Sequence, residues 1–151
     1  MTSKPTNIIT SSPPTTAVSS TAANRAGRLA VRIGIAATLA ISGVIHAYLY
    51  IHGYQYIPTI GTAFLVQASV FCALGVLVAA GGPAWLRWAG GVLSVAALIA
   101  FALSRTVGLS GFTEHGWNPA PQAALSVAAE ALTVVLVAFT VLSRRRRTPI
   151  T

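Results

Sequence analysis

Four polar side chains stand within or beside long apolar segments, where a polar group is costly unless it has a partner. They are His46, Gln67, Arg105 and Glu130, named here the polar cluster. Each lies within about eight residues of the same end of its segment, so at about 1.5 Å of helical rise per residue all four can share one layer. Glu130 is the only acid in any apolar segment. We therefore expect it to pair with Arg105, His46 or both.

The polar cluster has two interpretations that the residues alone leave open. It is either a structural clasp that fixes the register of the helices, or a binding or proton-handling site open to the outside. Intramembrane ionisable groups favour the functional interpretation. A buried ion pair is, however, weak evidence for any specific role.

The remaining reactive residue types show no catalytic or metal-binding pattern. The single cysteine, Cys72, excludes an internal disulfide, and no HxxxH or CxxC spacing appears. A haem held by two histidines needs a second intramembrane histidine besides His46. No nucleophile–base motif, glycine-rich phosphate loop or pair of carboxylates is present. We expect no enzyme, no cofactor and no metal site.

Composition indicates the elements that position the polar cluster. Of 151 residues, 54% are apolar and only 8% are charged, with a mean hydropathy of +0.72, which excludes an ordinary soluble domain. The apolar runs are 29–51, 60–80, 84–104 and 122–143. Each is long enough to cross a bilayer as a helix. The sequence predicts an all-α membrane protein, an up-down bundle of four transmembrane helices spanning residues 29–143.

Two tails flank this bundle. Residues 1–28 are rich in Ser, Thr and Pro, and we expect a disordered cytoplasmic tail. Residues 144–151 form a basic cytoplasmic tail. The run Arg144, Arg145, Arg146 and Arg147 is compatible with binding of anionic lipid and equally with a stop-transfer anchor.

The distribution of positive charge predicts the orientation. Nine of the ten Lys and Arg residues fall on one side of the predicted membrane, and only Arg105 falls on the other. Positive residues favour the cytoplasmic side, so both termini should be cytoplasmic in a plasma (inner) membrane protein. The net charge of +8 does not indicate nucleic acid, because the basic residues flank apolar segments. The connections 52–59 and 105–121 should lie outside, with candidate contact residues His52, Glu114, His115 and Trp117.

A weak internal repeat relates the two outer connections. The segments His52–Gln55 and His115–Asn118 both read His-Gly-aromatic-amide and are 63 residues apart. At the same offset Gln67 matches Glu130. The bundle can therefore be two repeated helix pairs, with convergent loop chemistry as the alternative.

Several stretches carry a resemblance to a known family. They are Gly43-Val44-Ile45-His46, Phe64-Leu65-Val66-Gln67, the stretch from Ser104 to Phe112, Trp117 and Glu130. Together they resemble a family of small four-span actinobacterial membrane proteins, most specifically through the Arg-Thr-x-Gly-Leu motif that starts at Arg105. The resemblance covers about residues 35–140. It implies a four-span fold with the polar cluster at motif positions, and it supplies no activity. The family usually has Pro where Ser110 stands in this chain.

Three functions follow as hypotheses. The first is a non-enzymatic partner-binding or accessory membrane subunit, with the polar cluster as a clasp and the loop 105–121 meeting the partner. The second is a small-solute or proton-linked transporter that uses Glu130, His46 and Arg105 and acts as a homo-oligomer, because four spans are few. The third, a redox or haem-associated membrane protein, is disfavoured by the single intramembrane histidine.

Overall fold

The protein is a bundle of four long helices. The computed structural model describes the backbone of residues 15–145 and the side chains of residues 22–143. The helices are α1 (Thr15–Ile51), α2 (Ile60–Ala79), α3 (Trp85–Arg105) and α4 (Gln122–Arg145), with a 3₁₀ turn at Tyr54–Tyr56. The described residues contain no β-strand. The predicted all-α, four-helix architecture is confirmed.

All four helices are long and apolar enough to cross a membrane. Each also exposes large apolar side chains to its surroundings. Examples, one from each helix in turn, are Val44, Val76, Val92 and Val135, all more than 60% exposed. Helices that are apolar on their outward faces as well as their inward ones are typical of a membrane span. The bundle is thus compatible with an integral membrane protein.

The helices follow one another up and down around a shared core. Helix α1 packs along α2 and α4, and α3 packs along α4, whereas the contact between α2 and α3 is smaller. The bundle end that carries the connections 52–59 and 106–121 is named the loop end. The opposite end, where α3 begins, is named the arginine end. The apolar core around Ile35, Leu39 and Phe71 lies towards the arginine end.

Helix α1 is longer than its apolar run. It begins at Thr15, directly after Pro13-Pro14 in the sequence, so it covers half of the segment 1–28 for which a disordered tail is expected. Alanines at positions 17, 22, 23 and 26 favour helix, and adding residues to an existing helix costs much less than starting one. Residues 1–14 and 146–151 lie outside the described residues.

Small residues set the spacing between α1 and α2. A Cβ atom on Gly43 would lie 2.7 Å from Cys72 Sγ, and one on Gly75 would lie 3.0 Å from the carbonyl oxygen of Ala36. Neither position has room for a larger side chain. Helices α1 and α2 therefore approach closely at both glycines, as is typical of small residues at a membrane helix interface.

The long loop between α3 and α4 contains a tight turn. Leu109 and Phe112 exchange backbone hydrogen bonds of 2.8 and 2.9 Å, and Ser110 and Gly111 between them have φ angles of +52° and +79°. Proline has φ fixed near −65° and cannot occupy position 110 of this turn. Serine at position 110 is compatible with this turn, whereas proline there would not be.

Only the second helix of each pair begins near the 63-residue offset. Helices α2 and α4 begin at residues 60 and 122, close to that offset. Helix α1, in contrast, ends directly before His52, whereas α3 ends ten residues before His115. The two His-Gly elements therefore do not occupy equivalent positions relative to the preceding helix.

Candidate functional site

Glu130 is the centre of a hydrogen-bond network that joins three helices. Its side chain on α4 is 2% exposed. Its Oε1 accepts hydrogen bonds from Ser42 Oγ of α1 at 2.9 Å and from Gln67 Nε2 of α2 at 3.0 Å. No described group hydrogen-bonds to its Oε2. The carboxylate thus has polar donors but no cationic partner within the described part of the chain.

His46 approaches this network through Ser42 rather than through Glu130. Its Nδ1 lies 2.9 Å from the carbonyl oxygen of Ser42 and 3.4 Å from the Ser42 hydroxyl. A carbonyl only accepts, so Nδ1 carries a proton, and in the neutral ring Nε2 is then an acceptor. The ring packs against Phe64 with centroids 5.0 Å apart. We name Ser42, His46, Gln67 and Glu130 the Glu130 network.

A second hydrogen bond lies one helical turn from the Glu130 network. Thr133 Oγ1 on α4 and Thr38 Oγ1 on α1 are 2.7 Å apart, and both residues are buried. Thr38 also donates to carbonyl oxygens of its own helix at 3.1 Å. Helices α1 and α4 are therefore joined by two successive polar contacts.

Arg105 does not pair with Glu130, and the hydrogen bonds of His46 are with Ser42. The expected pairing of Glu130 with either basic residue is therefore wrong. Its Nη1 lies 2.7 Å from Glu114 Oε2 and donates to Ser104 Oγ at 2.7 Å. Its Nε donates to the carbonyl oxygen of Gly116 at 3.2 Å, and Nη2 donates to that of Asn118. Arg105 is the last residue of α3, at the loop end of the bundle. Its guanidinium group is held by nearby loop groups, whereas Glu130 lies deeper in the bundle.

Glu114 links this arginine to the other connection. Its Oε1 accepts a hydrogen bond from the Tyr54 hydroxyl, while Oε2 faces Arg105. Tyr54 also stacks on Phe64, with centroids 4.5 Å apart. Burial, and then the hydrogen bond and charge of Glu114, raise the pKa of Tyr54. We name Tyr54, Arg105 and Glu114 the loop-end triad. It ties the long loop to the 3₁₀ turn and to α3.

A cavity of about 80 Å³ lies between the loop-end triad and the Glu130 network. All four members of the polar cluster line it, one from each helix, and Glu114 lines it from the loop. The predicted convergence of these residues on one layer therefore produces a shared cavity, although not the expected ion pair. A cavity of this size has room for a few water molecules or for a solute of a few heavy atoms.

The other outer-loop candidates lie away from the cavity. His52 is exposed, stacks on Tyr48 with centroids 3.9 Å apart, and has Nδ1 2.8 Å from the Tyr48 carbonyl oxygen. Trp117 is 57% exposed and contacts the Phe101 ring. His115 is exposed. Of the four outer-loop residues, only Glu114 belongs to the site.

Sequence reasoning missed three members of the site. Ser42 and Thr38 precede His46 by one and two helical turns, and their spacing of four was the available signal that they share its face. Tyr54 stands in a cluster of tyrosines typical of a membrane interface. Nothing local distinguishes it from Tyr56, which is 82% exposed.

The described side chains include no group of three His, Cys, Asp or Glu placed to hold a metal ion. Arg105 and Glu114 in the cavity wall are engaged with each other. The acceptors left for a ligand are a Glu130 carboxylate oxygen and, in the neutral ring, the second imidazole nitrogen of His46. Such a set suits a small donor: a proton, an ammonium-type cation or a polar solute rich in N–H or O–H groups. Comparison of the chain with family models, curated proteins and solved structures finds no match.

Proposed function

We propose that the protein is a non-enzymatic integral membrane protein that binds a small cationic or hydrogen-bond-donating solute in the cavity at its loop end. The observation that carries this proposal is Glu130, which is buried on the cavity wall and has no cationic partner among the described side chains. A carboxylate in an apolar layer must be neutralised, by a proton or by a cation that enters beside it. Glu130 is the binding residue, and His46 and Gln67 orient the ligand.

The loop-end triad supports the same function. The long loop covers the cavity, and Arg105 and Glu114 fasten it through a partly buried ion pair whose side chains are 13% and 18% exposed. Arg105 and Glu114 supply the polar side-chain contacts that hold this loop, so the loop can act as a gate: moving it away would expose the Glu130 carboxylate to the loop-end side. In a transporter, this gate would be the outer one, and homo-oligomers would supply the further spans.

The orientation belongs to this proposal. We place the protein in the plasma (inner) membrane with both termini cytoplasmic and the loop end outside. The support is the bias of nine positive residues against one between the two ends. The cavity then takes its ligand from the extracytoplasmic side.

The direct test is thermal unfolding of the purified chain with ammonium, methylammonium or guanidinium chloride, against sodium chloride at equal ionic strength. A cation that fills the site should stabilise the wild type, by about 2.7 kcal/mol at a hundred times its Kd. Glu130→Gln should remove this response while staying folded. Glu114→Gln is the charge-matched control and should keep the response, because both Glu114 oxygens are already engaged.

A second candidate is an accessory or partner-binding subunit in which the Glu130 network is only a clasp. The paired contacts Ser42–Glu130 and Thr38–Thr133 between α1 and α4 favour it. It predicts that Glu130→Gln lowers stability by several kcal/mol and that no cation stabilises the wild type. Loss of stability together with an absent cation response would therefore replace the solute-binding proposal with this one.

A further inference from the structure

Four arginines line one groove at the arginine end, far along the helices from the cavity. Arg25, Arg28 and Arg32 share a face of α1 at spacings of three and four residues, and Arg87 faces them from the first turn of α3. The end of α4 completes the groove, which has a volume of about 900 Å³. We name these four residues the arginine groove.

The charge of the arginine groove is not balanced by any acidic side chain. The chain contains two acidic residues, Glu114 and Glu130, and both belong to the site at the loop end. The only ion pair among the described residues is that of Arg105 with Glu114. Four guanidinium groups that line one groove repel one another, so the groove favours the binding of an anion.

Arg32 gives a second, independent indication of a ligand. Its Nε is buried and has no hydrogen-bond partner among the described residues. Its Nη1 occupies the space beside Gly81, where a Cβ would lie 2.9 Å away. A buried N–H without an acceptor is costly, so this geometry fits a site whose acceptor is supplied by a ligand.

We propose that the arginine groove binds a phosphate-bearing anion, the headgroup of an anionic phospholipid or a soluble phosphate. Guanidinium groups match phosphate oxygens with two parallel N–H donors, which a point charge cannot do. The hydroxyls of Thr140 and Ser143 on the α4 wall already donate to carbonyl oxygens of their own helix at 2.7 Å. The arginines therefore carry the binding.

The surroundings of the groove favour the lipid. Trp85 and Trp88 flank Arg87 and are 63% and 50% exposed, the amphipathic position of interfacial tryptophans. Phe139 lines the groove and is 56% exposed. A phospholipid can place its phosphate among the arginines and its acyl chains along these apolar surfaces.

The test uses tryptophan fluorescence of the full chain in neutral phosphatidylcholine nanodiscs. The Trp117→Phe background leaves Trp85 and Trp88 as the only tryptophans, and both lie within two residues of Arg87 along the chain. Phosphatidylglycerol with brominated acyl chains is added as a quencher, and brominated phosphatidylcholine is the matched neutral lipid. We expect saturable quenching with phosphatidylglycerol at fractions where phosphatidylcholine quenches only in proportion to its amount.

The decisive variants keep the net charge constant. The first is a triple variant that combines Arg28→Lys, Arg32→Lys and Arg87→Lys. It should raise the half-saturating fraction of phosphatidylglycerol by at least about tenfold. The control is a triple variant that combines Arg145→Lys, Arg146→Lys and Arg147→Lys. It should change the half-saturating fraction of phosphatidylglycerol by less than about twofold. Helical circular dichroism checks folding, and the single Arg87→Lys, with a threefold or larger effect, replaces the triple variant if that one does not fold.

A second arm titrates inorganic phosphate into the same protein in neutral lipid. Saturable fluorescence change with phosphate but none with phosphatidylglycerol supports the groove with a soluble phosphate as its ligand. Two results overturn the proposal: no response to either probe, or equal weakening by the groove and control lysine series, which would mean diffuse surface attraction.

Discussion

At the scale of single residues, the site shows how a buried carboxylate is accommodated without a cation. Glu130 accepts hydrogen bonds from two neutral donors, while Arg105, which lines the same cavity, is held by Glu114 and by loop carbonyl groups. Arg105 also lies 4.0 Å from the centre of the Phe101 ring. This division leaves the charge of Arg105 satisfied in the loop-end triad and the carboxylate of Glu130 available to the cavity.

Arg105→Gln should destabilise the protein by about 3 kcal/mol, because it leaves Glu114 partly buried without its cation. Arg105→Lys keeps the charge but loses the bonds to the Gly116 and Asn118 carbonyls, so it should recover only part of this loss. Thermal unfolding in detergent measures both. In a double-mutant cycle, Glu114→Gln should cost less in the Arg105→Gln background than alone. Full stability of Arg105→Lys would contradict a role for the carbonyl bonds.

Tyr54 gives the site a dependence on alkaline pH. Burial first, and then Glu114, raise its pKa above the ordinary tyrosine value of about 10. A pKa that is higher in the folded than in the unfolded chain contributes stability that is complete below about pH 10 and is lost as the pH rises through the folded value. The melting temperature should therefore fall more steeply above about pH 10 in the wild type than in Tyr54→Phe. Parallel pH profiles for the two proteins would refute this assignment.

At the scale of helices, the α1–α2 interface and the α1–α4 interface are held together in different ways. The tight α1–α2 interface depends on glycines, whereas α1 and α4 are joined by polar pairs. The smaller contact between α2 and α3 leaves room for the cavity, because side chains of both helices line it without closing it. The Glu130 network thus depends on the packing of α1 against α2, since Ser42 and His46 lie within one helical turn of Gly43.

Gly43→Ala should destabilise the protein by about 1–3 kcal/mol, because its Cβ would meet Cys72 Sγ at 2.7 Å and backbone atoms at 3.0–3.1 Å. Gly27→Ala on the same helix is the matched control. Nothing lies within 4 Å of a Cβ at that position, so alanine should leave stability unchanged or raise it by up to about 1 kcal/mol. Thermal unfolding compares the two variants. Equal effects would mean that helix propensity, not packing, decides both.

At the scale of the whole molecule, charge is segregated along the bundle. The two carboxylates lie at the loop end, and the groove at the other end is lined by four arginines that have no ion-pair partner among the described residues. We propose that the two ends face different compartments, the loop end taking a donor or cation and the arginine end an anion.

Cysteine labelling tests this orientation. In a Cys72→Ala background, which removes the only native cysteine, His115→Cys should react with a membrane-impermeant maleimide in intact cells. Ala84→Cys, exposed in the connection between α2 and α3, should react only after the cells are lysed. The physical reason is the preference of positive residues for the cytoplasmic side. The reverse pattern would move the cavity to the cytoplasmic side and reject the proposed orientation.

The sequence by itself determined the four helices and the depth of the polar residues. Both are local properties, because apolar length fixes a span and residue count fixes depth along it. That is why His46, Gln67, Arg105 and Glu130 were expected in one layer and do line one cavity. The boundaries of α2 to α4 agree with the apolar runs to within two residues.

Only the tertiary structure decided which of these groups pair. Arg105 pairs with Glu114 and not with Glu130. This pairing depends on how the loop folds back and on how α4 is rotated about its axis, and the hydrophobic pattern of the sequence predicts neither. The same holds for Ser42 as the link between His46 and Glu130, and for the arginine groove, which is made of residues far apart in the chain. Hydrogen bonds and ion pairs act over about 3 Å, so their partners follow from packing geometry rather than from residue spacing.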